Sequence, residues 1–194
     1  MKPFRAPPPA SRALVAGLAV AGLVAACGRA PVSAAPSPAV VRAAFAGSPP
    51  ALGALHGRAN QLAGGGVAAF HRELASLAGY PVIINKWGSW CGPCRVEFPY
   101  FQQAAVRFGR RAAFLGLDGE DNPGDARVFL RRFPVTYPSY QDPTADIAHS
   151  LHVPYGYPET LFLDRRGQIN FIHQGAYPSE ATLVADVRRY ALGS

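Results

Sequence analysis

The stretch that decides the fold is Pro81-Val82-Ile83-Ile84-Asn85-Lys86-Trp87-Gly88-Ser89-Trp90-Cys91-Gly92-Pro93-Cys94. Its first half is a short apolar run of β-branched character, the mark of a buried strand, and Pro93 to about Arg107 reads as a helix with Pro99 inside it predicting a kink. Two cysteines therefore stand where a strand hands over to a helix. A thiol at a helix N-terminus meets unpaired backbone N–H groups and the positive end of the dipole, both of which favour the thiolate. This makes Cys91 the candidate nucleophile. Cys94 lies one turn further on and less exposed, which makes it the candidate resolving thiol. Pro93 suits the first helical turn, where its missing N–H costs nothing, and it stiffens the link between the sulfurs. A zinc half-site and an inert structural disulfide are the alternatives. The first lacks ligands, because the rest of the chain offers only Cys27 and five dispersed histidines, so no metal is expected.

Outward from this motif the chain alternates strand with helix. A strand is predicted at Ala112–Leu117, a helix at Asp125–Phe133, a weak strand at Tyr137–Tyr140 and a short helix at Thr144–Leu151. Glu159–Leu163 and Gln168–His173 then flank Asp164-Arg165-Arg166-Gly167 as a hairpin, and Ser179 caps a last helix running to Leu192. Upstream, short helices are expected at Leu55–Leu62 and Phe70–Leu77. This order calls for an α/β fold, a mixed central sheet flanked by helices on both faces.

The composition agrees with one core in 194 residues: 49% are apolar and 16% charged, so wholesale disorder is excluded. The formal charge of +7 is weak ground for nucleic-acid binding. Three of the cations, Lys2, Arg5 and Arg12, precede an apolar run, and the other arginines are scattered with no basic stripe interleaved with aromatics.

Residues 1–26 read as a signal peptide. Ala13 to Ala26 would rise only about 21 Å as a helix, short of the roughly 20 residues that cross a bilayer. The ending Val24-Ala25-Ala26-Cys27 resembles a bacterial lipobox, which would make Cys27 a lipidated N-terminus. An uncleaved anchor and ordinary cleavage near Ala25 are the alternatives, and all three place the domain outside the cytoplasm. Residues 27–51, with Pro31, Pro36, Pro38, Pro49 and Pro50, read as a Pro/Ala-rich extended spacer, and residues 52–194 as the folded domain.

The run Asn85 to Pro99, with Trp90-Cys91-Gly92-Pro93-Cys94-Arg95-Val96-Glu97-Phe98-Pro99 at its heart, and the run Gly156-Tyr157-Pro158-Glu159-Thr160-Leu161-Phe162-Leu163-Asp164 resemble the membrane-anchored thioredoxin-like thiol-disulfide oxidoreductases of the TlpA and ResA type, close to cytochrome c maturation reductases. The likeness spans about Phe70 to Leu192. It implies a thioredoxin fold, a cis Pro158 facing the cysteines, and a substrate-binding edge formed by Trp90, Tyr157 and Pro158, where an extended segment adds as a strand. It also implies reduction of disulfides in exported proteins, apocytochrome c among them, by a monomer that needs no cofactor and is re-reduced by a membrane thiol donor. Gly92 and Pro93 are the redox-tuning pair in this reading, since thioredoxin is poised near about −270 mV. The same motif also runs as a disulfide-donating oxidant, and a non-catalytic adaptor would use only the Tyr157 edge.

Glu97 aligns with the acidic residue that ResA-type proteins keep near their cysteines. Three residues after Cys94, it would take that thiol's proton through a water; the bland alternative is an ordinary surface glutamate. Asn85 departs from cytoplasmic thioredoxin, which carries a buried aspartate there, and an amide cannot shuttle a proton. Lys86 occupies a place usually apolar. As a charge it would tune Cys91 or hold an acidic partner, while as a snorkelling surface residue it would do neither. His149 and His152 are expected at the surface and His173 at the end of a strand. A copper carrier would need Cys-x-x-x-Cys, and a peroxidase would need Pro-x-x-x-Thr-x-x-Cys before Cys91; the chain has neither.

Overall fold

Val82 to Trp87 form a central strand, β2, in which every residue is buried, and the sheet is built outward from it. The computed structural model describes residues 1, 3, 35–153 and 156–194, so the leader and Cys27 lie outside the described residues. The elements run α1 (Pro38–Phe45), α2 (Pro50–His56), β1 (Leu62–Ala63), α3 (Gly66–Ser76), β2, α4 (Gly92–Phe108), β3 (Ala113–Gly119), α5 (Pro123–Arg132), β4 (Ser139–Asp142), α6 (Asp146–Ser150), β5 (Glu159–Leu163), β6 (Ile169–Gln174) and α7 (Glu180–Asp186), followed by a π-helical segment, Val187–Leu192. Strand order is β1-β4-β3-β2-β5-β6. The first four are mutually parallel, whereas β5 and β6 run antiparallel as the predicted hairpin. This is the mixed sheet the sequence calls for.

Alternation along β2 divides the core in two, since neighbouring residues of a strand face opposite sides. Ile83 and Trp87 join Phe98, Phe101, Phe129, Phe162 and Leu183 on the side of α4, α5 and α7. Val82 and Ile84 join Leu52, Phe70, Leu115 and Ile147 on the side of α2, α3 and α6. Along α4 the buried positions Cys94, Glu97, Phe98, Phe101, Ala104, Ala105 and Phe108 recur at helical spacing, so one face of the helix lies on the sheet along its whole length. Trp87 anchors this face, stacked at 4.9 Å on Phe129 and edge-on at 5.0 Å to Phe98.

Three local readings change. The stretch read as an extended spacer contains α1 and the start of α2. Ser37 caps α1 through the Val40 amide, Pro38 and Pro50 occupy first-turn positions, and the Phe45 ring stacks on His56 at 3.6 Å. The helix expected at Leu55–Leu62 ends at His56 because the chain turns to join the sheet: the Asn60 amide donates to the Tyr137 carbonyl and the Ser139 amide to the Gln61 carbonyl, setting β1 beside β4. The last helix is regular only to Asp186, and beyond it Tyr190 lies against the edge strand, stacked on Phe171 at 3.9 Å. The hairpin turn forms as read. The Asp164 carboxylate accepts from the Arg166 and Gln168 amides, and Gly167 takes the left-handed conformation, φ +78°, that favours glycine. Among the described residues no helix is long and apolar enough to cross a membrane.

Candidate active site

The two cysteines sit at the carboxyl end of β2, where α4 begins. Cys91 is the N-cap of α4, with extended backbone, and its Sγ accepts from the Cys94 amide at 3.2 Å. The sulfurs are joined as a disulfide with the Cα atoms 5.3 Å apart. Cys94 is wholly enclosed and Cys91 nearly so, while Gly92 and Pro93 between them are exposed. An attacking group therefore reaches the pair from the Cys91 side. The helix N-terminus is a feature that favours a Cys91 thiolate.

Close to the cysteines in sequence, Trp90 meets Tyr157. The Tyr157–Pro158 peptide is cis, as the resemblance implies. Trp90 is 54% exposed and packs edge-on against Tyr157 at 4.8 Å, with its indole N–H donating to the Glu120 carbonyl. Two glycines make room for these rings: a Cβ at Gly88 would meet the Trp90 indole, and one at Gly119 would meet the Tyr157 hydroxyl. The Trp90 indole is exposed, Tyr157 is half-buried and Pro158 is buried.

Glu97 is not a surface residue. It is fully buried, one turn beyond Cys94 on α4, and its Oε2 accepts from the Tyr177 amide at 3.0 Å. Burial pushes its carboxyl up to about 8, with the Tyr177 hydrogen bond opposing, and Oε1 has no hydrogen-bond partner. A carboxyl poised there is matched to a thiol and can exchange a proton with one in either direction. Asn85 is likewise buried, with neither amide atom in a regular hydrogen bond, and it lies beside the hydroxyl of Tyr137, which burial pushes above its ordinary range.

Lys86 overturns the surface reading. Only 2% exposed, it faces the core because β2 is buried along both faces. Its Nζ donates to Glu159 Oε2 and to the Gly156 carbonyl, each at 3.0 Å, and lies 4.4 Å from the centre of the Tyr157 ring. The charge is spent on the protein's own loop, so it is not displayed to an acidic partner. Lys86 and Glu159 are Cα partners across β2 and β5, which is why they meet. His149 and His152 are exposed as expected, and His173, on the edge strand, lies 3.4 Å from Asp186.

Two groups were missed in the sequence. Tyr177 holds Glu97 through its backbone and shares the side of the core with Cys94. Its role rests on a main-chain N–H, which leaves no trace in residue type. Asp118 and Asp121 flank the far side of the reactive turn, where the Asp121 carboxylate accepts from both the amide and the hydroxyl of Ser89. Asp118-Gly119-Glu120-Asp121 at the carboxyl end of a parallel strand was the available signal, since open α/β sheets place their sites there.

Comparison with known proteins agrees with this geometry. The chain is 31% identical over 107 residues to the thiol-disulfide oxidoreductase ResA of Oceanobacillus iheyensis, covering 54% of each chain. It is 33% identical over 96 residues to the thiol:disulfide interchange protein DsbE of Pseudomonas fluorescens biotype C, covering 49% of this chain and 52% of that one. The chain thus spans about half the length of the curated relatives it matches. Among solved structures, a secreted thiol-disulfide isomerase from Corynebacterium glutamicum superposes with a TM-score of 0.55 at 29% identity, over 62% of this chain and 73% of that one. The MTB dsbF protein, described in mixed oxidized and reduced forms, gives 0.54 at 26% identity, over 59% of this chain and 84% of that one. The fold is the thioredoxin fold. A family model described as AhpC/TSA matches residues 66–172, more than half of the sequence and including both cysteines, and the chain belongs to the AhpC/TSA family of thioredoxin-like proteins.

Proposed function

We propose that the chain is an extracytoplasmic thiol-disulfide oxidoreductase that reduces disulfides in exported proteins, apocytochrome c among them. The observation that carries this reading is the Cys91–Cys94 disulfide at the N-terminus of α4, beside the exposed Trp90 and the Tyr157–Pro158 edge. In the reduced protein the Cys91 thiolate attacks one sulfur of a client disulfide, forming a mixed disulfide and expelling the other client sulfur as a thiolate. Cys94 then gives its proton to the ionised form of Glu97 and attacks Cys91 Sγ. The second client thiolate leaves, the client has gained two electrons, and the protein holds the disulfide. A membrane thiol donor returns the two electrons.

In this reading Trp90, Tyr157 and Pro158 hold an extended client segment, and Gly92, Pro93 and Lys86 tune the pair, Lys86 by cancelling the charge of Glu159. Cys27 carries the lipid that keeps a monomer at the outer face of the membrane, with residues 1–26 as signal. The solved structure described as a secreted thiol-disulfide isomerase supports the extracytoplasmic setting. No cofactor takes part. Cys27→Ser abolishes lipid labelling and loosens membrane association if this anchor exists; unchanged fractionation excludes it.

Equilibration with defined thiol buffers tests the direction. A potential below about −240 mV marks a reductant, whereas one above about −150 mV marks a disulfide donor and overturns the proposal.

A further inference from the structure

Glu97 has one hydrogen bond among the described residues, the 3.0 Å contact that its Oε2 accepts from the Tyr177 amide. Tyr177 lies between β6 and α7, outside any helix or strand, so other contacts must fix it. The two ends of this loop are tied down: the Gly175 amide donates to the Pro158 carbonyl at 2.9 Å, and Ser179 Oγ accepts from the Thr182 amide at 3.2 Å. Its middle is held by the Tyr177 side chain, which is enclosed. The hydroxyl donates to Asp186 Oδ2 at 2.9 Å, and the ring stacks on His173 at 3.9 Å. His173 Nδ1 in turn lies 3.4 Å from the same Asp186 oxygen. Nothing in the proposed reaction uses Asp186, the last residue of α7.

We propose that Asp186 is a positioning residue for Glu97: it anchors the Tyr177 hydroxyl, and this anchor keeps the Tyr177 amide on the carboxyl that takes the Cys94 proton. The proposal deepens the oxidoreductase reading and rests on it for the use of that proton. A backbone N–H can only donate, so it favours ionised Glu97, the form that accepts from a thiol. Fixing the ring at its hydroxyl and across its face fixes the main chain that carries it. Without Asp186 the enclosed hydroxyl loses its partner, and the ring moves to find another. The two ways Asp186 can act on Glu97 have opposite signs. As a bare negative charge it opposes ionisation, so its removal makes Glu97 a stronger acid. As the anchor of Tyr177 it favours ionisation, so its removal makes Glu97 a weaker one. Other groups on this side of the core are Tyr137, before β4, whose hydroxyl burial pushes above its ordinary range, and the uncharged Asn85 and Thr160, paired across β2 and β5. Burial, then Asp186, push the Tyr177 hydroxyl above its ordinary range as well, so it stays a donor. Lys86 alternates to the other side of β2, where it donates to Glu159 and Gly156.

The test follows the Glu97 carboxyl by 13C NMR in the oxidised full chain, where neither Cys91 nor Cys94 titrates, with Glu97→Gln identifying its resonance. The parent titrates near pH 8. Asp186→Ala and Tyr177→Phe, which removes the hydroxyl alone, each raise that inflection by about half a pH unit or more. An inflection that stays in place or falls in Asp186→Ala overturns the proposal, and so does one unmoved in Tyr177→Phe. The phenylalanine variant keeps the ring and its stacking, so the question is decided even if Asp186→Ala does not fold. The Tyr177 amide resonance of the parent follows the same inflection, and a flat one overturns the proposal with no variant at all. In the reaction, a half-unit rise lowers the ionised fraction of Glu97 at pH 7 by about threefold, so Tyr177→Phe resolves a mixed disulfide about threefold more slowly there and matches its parent above about pH 9. An equal loss at every pH marks a merely structural role and overturns the proposal. Absence of insulin reduction by the parent at every pH overturns the oxidoreductase reading alone, with the carboxyl titration still deciding the role of Asp186.

Discussion

The Lys86 ammonium lies 3.0 Å from the Glu159 carboxylate, with both side chains almost fully enclosed, at paired positions of β2 and β5. The pair ties the strand that leads into the cysteines to the strand that follows the cis proline. Removing either partner strands a buried charge, so Lys86→Met and Glu159→Gln are each expected to cost about 3–5 kcal/mol in denaturant unfolding. Combining the two costs far less than their sum. Additive losses in the double-mutant cycle would show that the charges do not sense one another.

Stability is expected to fall as pH rises, in a window set by Glu97. Its carboxyl is raised in the fold to about 8 from an ordinary 4.5, so the native state holds the proton more tightly than the unfolded chain. The contribution is complete below about pH 4.5 and is lost as pH climbs through 8. Asp118 acts in the same direction. Urea unfolding of the oxidised protein at pH 5, 6.5 and 8 measures this, and Glu97→Gln should gain of the order of 2 kcal/mol on its parent between the first and the last. Parallel curves would mean that the carboxyl is hydrated.

Cys94→Ser is expected to stall the reaction after the first exchange. The mixed disulfide between Cys91 and the client then accumulates on non-reducing gels, whereas Cys91→Ser yields none. If Cys91→Ser forms the adduct instead, the roles of nucleophile and resolving thiol are reversed.

Gly119 is open to a steric test. Its missing Cβ is the space taken by the Tyr157 hydroxyl, so Gly119→Ala displaces the ring that backs Trp90. The overpacking should cost about 1–3 kcal/mol. KM for a protein client is expected to rise with little change in the rate on a small disulfide such as oxidised glutathione. Equal loss on both would place the damage at the cysteines instead of the client edge.

Hydrophobic pattern and motif spacing made most of the fold legible. The apolar run at Val82–Trp87, the cysteine pair at a helix start and the turn at Asp164–Gly167 each carried local signals that tertiary contacts did not override. The upstream segment was misread because its prolines were counted as breakers. At the first turn of a helix they are compatible with it, as Pro38 and Pro50 show. Lys86 and Glu97 were visible as residue types but not as environments. A lysine in a run of apolar neighbours is ambiguous until its cross-strand partner is known, and that partner, Glu159, lies 73 residues away. The main-chain contact from Tyr177 to Glu97 depends on where loops converge, which spacing along the chain does not encode.

The sulfur that caps α4 is also the atom whose oxidation state changes. Reduction turns a disulfide sulfur into a thiolate, a far stronger acceptor for the Cys94 amide, so the first turn of the helix is held more firmly in the reduced protein. Helix capping and electron transfer are then two sides of one thermodynamic cycle. Any substitution that frays that turn, even one remote from clients, moves the equilibrium with a thiol buffer toward the disulfide, by roughly 30 mV for each 1.4 kcal/mol of cap strength that differs between the two states. The difference in unfolding free energy between oxidised and reduced chains is accordingly an electrochemical quantity, and a calorimeter can read it.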